Sequence, residues 1–152
     1  MKNLYSLTNP QKSIWLTEQF YKGSNINNIC GALTIKQPLD FEKFKQAINL
    51  FVKNNDSFRI CLTLDNNEVK QYIKDFSYFD IDIIDLKDAQ AVKDYEHYLA
   101  SFPLFDFDKL LFKFVLFRLP NGHGGFIINI HHTISDSWSL GITVNEIINY
   151  YS

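Results

Sequence analysis

The stretch Ile130-His131-His132-Thr133-Ile134-Ser135-Asp136-Ser137-Trp138-Ser139 decides how this chain is read. Two adjacent histidines follow a strand-like apolar run, and an aspartate comes four residues after the second of them. Successive side chains of a strand point to opposite faces. His132 therefore continues the face of Phe126, Ile128 and Ile130, and His131 shares the face of Asn129. The two histidines are expected to do different jobs, with only one directed into a given channel. Asp136 falls in a loop that leads into a helix start, where the chain can bring a carboxylate back toward the strand end. A histidine exchanges a proton near neutral pH, and a neighbouring carboxylate orients and tunes it. Two other arrangements use the same residues. Buried histidines bonded to backbone, with Asp136 as a helix cap, also satisfy the pattern. A metal centre would draw on the same ligand types, but no third clustered histidine and no ordered ligand set accompany them, so no metal site is indicated.

The elements around this stretch follow from periodicity. Leu110 to Leu119 is apolar on both faces, as a central strand requires. Asn121-Gly122, inside the tight connection from Pro120 to Gly125, is the strongest hairpin signal in the chain, and Phe126 to Ile130 returns as a strand. Leu140, Val144, Ile147, Ile148 and Tyr151 space as a final helix. Toward the N-terminus, Thr8 and Gln11 form a capping box with Pro10 in the first turn, predicting a helix from Asn9 to Tyr21. Ile29 to Ile35 reads as a strand. Asp40 caps a second helix whose apolar face carries Phe41, Phe44, Ile48, Phe51 and Val52. Arg59 to Leu64 alternates, with Ile60, Leu62 and Leu64 on one face, and pairs with Val69 to Ile73 across an Asp65-Asn66-Asn67-Glu68 turn. Phe79 to Ile84 reads as a further strand with Asp80 and Asp82 on its polar face, and Val92, Tyr95, Leu99 and Phe102 mark a third helix. The expected fold is α/β: a two-layer sandwich in which a mixed β-sheet is covered by helices. The last helix ends almost at the C-terminus, as expected of a lobe of something larger.

Bulk properties narrow the function classes. A chain of 152 residues suffices for one domain with a real core, and 46% apolar with 16% aromatic content makes it globular. The net charge of -2 and the lack of a basic run argue against a nucleic-acid partner. No apolar stretch is long enough to span a membrane, and Met1-Lys2-Asn3 opens no signal peptide, so a cytoplasmic protein is expected. Cys30 and Cys61 lack metal-ligand spacing and read as buried, reduced thiols. His97 falls on the polar side of a helix. His123 lies in a Gly-rich turn with neither the length nor the lysine of a phosphate loop.

His131-His132-Thr133-Ile134-Ser135-Asp136 resembles the HHxxxDG active-site motif of the condensation domains of non-ribosomal peptide synthetases. The resemblance extends along the chain. Leu7-Thr8-Asn9-Pro10-Gln11-Lys12-Ser13-Ile14-Trp15 resembles that family's opening segment, with Gln11 and Trp15 matching. Asp56-Ser57-Phe58-Arg59 resembles the end of its second motif, Arg-His-Glu-x-Leu-Arg. Pro103-Leu104-Phe105-Asp106-Phe107, followed by Leu110-Leu111-Phe112, resembles its Pro-Phe-Asp-Leu segment before a central strand. The HxxxD core alone is shared with chloramphenicol acetyltransferase-like acyltransferases. There are departures: Asn54 and Asn55 stand for Arg-His, Asp56 for Glu, and Ser137 for the motif glycine. Serine obstructs if that glycine is needed for positive φ or close substrate approach, and substitutes well if the position only opens a helix.

The resemblance implies an amide-forming acyltransferase of secondary metabolism, of the kind used in antibiotic biosynthesis. A donor acyl or peptidyl thioester on one carrier domain is attacked by the amine of an aminoacyl thioester on another. No cofactor is bound directly; the substrates ride on the phosphopantetheine of upstream and downstream peptidyl carrier domains. His132 takes the main role, as general base, as the group that orients the amine, or as stabiliser of the tetrahedral intermediate. His131 packs or fixes the loop, Ser137 supports the motif, and Asp136 is expected to form a structural salt bridge with Arg59. Residues 1–152 would be the N-terminal lobe, with the C-terminal lobe absent. Such a lobe alone is expected to be inactive, because half a channel cannot align two substrates, and its uncovered apolar face favours self-association. An epimerisation domain, a stand-alone acyltransferase using a coenzyme A thioester, and a degenerate lobe that only docks partners, hinted at by Ser137, share the same pattern.

Overall fold

The computed structural model describes residues 3–152; Met1 and Lys2, part of the opening read above as no signal peptide, lie outside them. In chain order the elements are β1 (Tyr5–Ser6), α1 (Asn9–Phe20), β2 (Asn28–Ile35), α2 (Phe41–Asn54), a 3₁₀ turn (Asp56–Arg59), β3 (Ile60–Asp65), β4 (Glu68–Ile73), β5 (Ile83–Asp85), α3 (Ala89–Ala100), β6 (Phe112–Arg118), β7 (Gly124–His131) and α4 (Ser137–Tyr151). Three of the helix N-caps are those the sequence announces, and Asp88 caps α3 as well. Thr8 closes a full capping box with Gln11, and Asp40 and Asp136 each accept a backbone N–H from the first turn of the following helix.

The strands form two sheets. The mixed one runs β2-β7-β6-β5, with β7 antiparallel to both neighbours and β5 parallel to β6. The smaller one is antiparallel, β1-β4-β3. Strand β7 is the axis of the larger sheet, and every residue in it is buried. On one face, Phe126, Ile128 and Ile130 meet Phe44, Ile48 and Phe51 of α2 and Ile147 of α4. On the other, Ile127 joins Val115 and Phe117 of β6 against Val92 and Leu99 of α3. The helix-covered mixed sheet is thus as expected, with α3 adding a layer on the reverse face. Aromatic packing dominates: Phe44 lies 5.8 Å from Phe126 and edge-on to Tyr151 at 4.8 Å. Each such buried ring contributes about 1.5–3 kcal/mol of transfer free energy. Among the described residues no helix is long and apolar enough to cross a membrane.

Several expectations change. The segment 79–82 is not a strand, because side chains take its backbone donors: Phe79 N–H donates to Asn49 Oδ1 and Ile81 N–H to Asp80 Oδ1. The Asp82 carbonyl, which accepts from Leu116, only leads into the pairing of β5 with β6. Only Ile83–Asp85 pairs, as β5. Arg59 closes the 3₁₀ turn and does not begin β3. Leu62 is buried, but Leu64, on the same face, is 57% exposed where β3 runs beyond the core. Phe102 lies past the end of α3 and is 45% exposed. Cys61 is fully buried, whereas Cys30 is only half-buried, and burial aided by Glu96 pushes its thiol up to about 12. The Asn66-Asn67 turn has both residues at positive φ, as a tight two-residue hairpin needs.

Gly125, the second residue of the central strand, pairs with Thr34 of β2. A Cβ there would sit 1.8 Å from the Leu33 carbonyl oxygen. Gly125→Ala must therefore force β2 and β7 apart. We expect it to cost about 3 kcal/mol, the upper end of overpacking effects, read by chemical denaturation; an unchanged midpoint would refute the close approach.

Candidate active site

The motif begins where β7 ends. His131 N–H donates to the Leu111 carbonyl at 2.8 Å, His132 N–H to the Asn27 carbonyl at 2.7 Å, and Ile134 N–H to the His131 carbonyl at 3.1 Å. The chain therefore turns at His132 with its backbone held on both sides. The parity read from the sequence holds to the strand end, since Asn129 donates to the Leu99 carbonyl on the α3 side while Ile128 and Ile130 pack into the α2/α4 core.

His131 is 1% exposed. Its Nδ1 lies 3.2 Å from the Thr133 amide and 2.7 Å from the Thr133 hydroxyl, and its Nε2 lies 2.9 Å from Glu18 Oε1. The amide can only donate, so Nδ1 is an acceptor and the ring proton sits on Nε2, donated to the carboxylate. Two influences on its protonation oppose each other. Burial disfavours the imidazolium and Glu18 favours it; burial is the larger, and the pKa is lowered. His131 is thus a buried, neutral donor to Glu18. Glu18, itself 3% exposed, also accepts from Asn27 Nδ2 at 2.9 Å. A third anchor comes from Gln11, whose amide donates to the Thr133 carbonyl at 3.3 Å and to Gln71 Oε1 at 2.8 Å.

His132, by contrast, is exposed. Asp136, also exposed, accepts the Ser139 amide at 2.7 Å and caps α4. The Ser139 bonds hold its carboxyl below the usual range, and the nearby His132 adds a smaller pull in the same direction. Ser137 is the first residue of α4, and among the described non-glycine residues only Asn66, Asn67 and Asp108 have positive φ. The backbone at Ser137 therefore opens a helix and does not require glycine. The expected Arg59–Asp136 salt bridge is not formed. The 3₁₀ turn brings Asp56 onto the Arg59 guanidinium, which also donates to the Lys74 carbonyl at 3.2 Å, while Asp136 is occupied by its own helix. Arg59 lines a cavity of about 1100 Å³ with Asp56, Tyr72, Lys74 and Asp108, and none of residues 131–137 borders it.

Sequence reading missed Glu18, Asn27 and Gln71. One signal was available. Gln11, Trp15 and Glu18 recur at helical spacing on the inward side of α1, and a carboxylate on a buried helix face needs a partner. Beside Glu18 a hollow of about 390 Å³ is walled by Trp15, Phe105 and Phe107, with Trp15 packed 5.4 Å and 5.5 Å from the two phenylalanine rings.

Two predictions follow from these roles. The unfolded chain takes up a proton at His131 near 6.5, where the folded chain resists it, so stability should fall as pH drops below about 6.5. His131→Gln should flatten that part of the pH–stability curve, and His131→Ala should cost about 3 kcal/mol by stranding the Glu18 carboxylate; an unaltered curve in denaturation series would contradict the assignment. Asp136→Ala should lower Tm and Asp136→Asn restore it, because asparagine caps as well as aspartate. An alanine variant melting like the wild type would mean that the cap is unimportant.

A family model of the condensation domain matches residues 1–152. Among curated proteins, the chain is 37% identical to surfactin synthase subunit 1 of Bacillus subtilis (strain 168) over 97% of its own length and 4% of that protein's. It is 26% identical to tyrocidine synthase 3 of Brevibacillus parabrevis over 99% of its length and 2% of that protein's. The chain thus spans a small fraction of the relatives it matches. In structure it is similar to the starter condensation domain of rhizomide synthetase, with a TM-score of 0.88 and 19% identity over 98% of this chain and 37% of that one. The first condensation domain of the CDA synthetase gives a TM-score of 0.88 at 18% identity, covering 98% of this chain and 39% of that one. With the fold shared at this level and the family model matched along the whole sequence, the chain belongs to the condensation-domain family.

Proposed function

We propose that this chain is the N-terminal lobe of a non-ribosomal peptide synthetase condensation domain, and that His132 carries its chemistry. The observation behind this reading is the division of labour in the histidine pair: His131 is sealed in a hydrogen-bonded core and His132 faces outward at the end of the central strand. The reading of the chain as one lobe is supported by its coverage of 37% and 39% of the two condensation-domain structures.

The proposed reaction joins two carrier-bound groups. The amine of an aminoacyl thioester on the downstream carrier attacks the carbonyl carbon of the donor thioester on the upstream carrier. A C–N bond forms, the C–S bond breaks, the amine loses a proton and the donor pantetheine leaves as a thiol. His132 accepts that proton or orders the amine for attack, and general-base help of this kind is worth about 10²–10⁴-fold in rate. The partners are the two peptidyl carrier domains and a C-terminal lobe that supplies the other wall of the substrate channels. The proposed setting is the cytoplasm. No observation favours epimerisation, a coenzyme A-dependent acyltransferase, or a docking lobe without turnover.

The test is amide formation by the intact synthetase with carriers preloaded with donor and acceptor, followed by intact mass. Wild type should give product, and His132→Ala should lose about 10²-fold or more with its fold retained. The 152-residue chain alone should give none. Absence of product from wild type across several loaded carriers, or full activity in His132→Ala, would overturn the reading.

A further inference from the structure

We infer that Glu18 is a positioning residue for His132, acting through Asn27 and His131 without touching substrate; this rests on the proposed role of His132. A single oxygen, Glu18 Oε1, lies 2.9 Å from His131 Nε2 and 2.9 Å from Asn27 Nδ2. These two residues flank His132 in different ways. His131 precedes it in the chain. Asn27, distant in sequence, offers the carbonyl that takes the His132 amide at 2.7 Å. Both supports of the His132 backbone therefore converge on one carboxylate atom.

The surroundings make that atom hard to replace. Glu18 and His131 side chains are 4% and 1% exposed, so water is poorly placed to take over either bond. The other bond from Asn27 Nδ2, to the Ile14 carbonyl, is long at 3.5 Å. Helix α1, which carries Glu18, is itself tied to the motif loop by the Gln11 bond to the Thr133 carbonyl. The helix thus grips the loop at two points, and Glu18 is the one whose partners meet at His132. What Glu18 supplies is an acceptor in a fixed place. Its charge is not directed at the reacting atoms, so glutamine, which retains one acceptor oxygen, should serve in part.

Misplacement of a reacting group by about 1 Å can cost on the order of 10²-fold in rate. In the intact synthetase with preloaded carriers, Glu18→Ala should therefore lower kcat by about 10²-fold with KM for both loaded carriers unchanged, and Glu18→Gln should recover most of the loss. Asn27→Ala cuts one arm while leaving the His131–Glu18 pair, so it reports even if Glu18→Ala fails to fold; it should also lower kcat and spare KM. In the 152-residue chain, hydrogen exchange at the His132 amide should quicken in Asn27→Ala and stay slow in Glu18→Gln. Wild-type kcat in a folded Glu18→Ala or Asn27→Ala variant would overturn the proposal. So would an equal loss in Glu18→Gln with the His132 amide still protected, because the charge would then matter and not the position. His132→Ala, run in parallel, separates the two claims: its retained activity would sink the catalytic reading, while amide exchange would still decide whether Glu18 holds His132.

Discussion

The structure depends on a carboxylate and an imidazole shut away from water at the end of its central strand. An unpaired buried carboxylate is costly enough that a fold must neutralise it or surround it with donors. Here Glu18 receives two N–H groups, from His131 and Asn27. The pairing is directional in what it does to His131. Burial outweighs the attraction of Glu18, so the imidazole stays neutral and uses its one proton as a structural donor. One histidine of the pair is thereby committed to the core, and its neighbour is left at the surface.

The rest of the fold is arranged around that point. β7 is buried on both faces because α2 and α4 cover one side and α3 the other, so its end is rigidly placed. The smaller sheet reaches the motif through a reciprocal amide pair between Gln11 and Gln71, and Gln11 passes the connection to the Thr133 carbonyl. Downstream, Asp136 turns the loop into α4 by capping it. The motif aspartate thus acts on the path of the chain after His132, and α1 holds both sides of it, through Glu18 at His131 and Gln11 at Thr133.

Much of this was legible in the sequence, where local chemistry decides. The capping box at Thr8 and Gln11, the Asp40 cap, the apolar face of α2 and the Asn66-Asn67 turn are short-range signals, and each was found in place. Parity along β7 correctly separated the faces of Ile128 and Asn129. What escaped was non-local. The segment 79–82 has strand-like residues, but Asn49 of α2 takes its backbone bond at Phe79, and nothing near residue 79 signals that. The Arg59–Asp136 pair was inferred from family resemblance, and two nearer partners displaced it: Asp56, three residues before Arg59, and the Ser139 amide. Glu18 is legible only through its place on the inward face of α1, while its partners His131 and Asn27 lie far off or across a loop in the sequence.

The central claim is that His131 is a neutral donor locked to Glu18. Long-range proton–nitrogen correlation of the imidazole rings at pH 7 tests it most directly. The account predicts that His131 shows a protonated Nε2 and an unprotonated Nδ1, and that Glu18→Ala removes this signature. A His131 found as imidazolium, or with its proton on Nδ1, would contradict it.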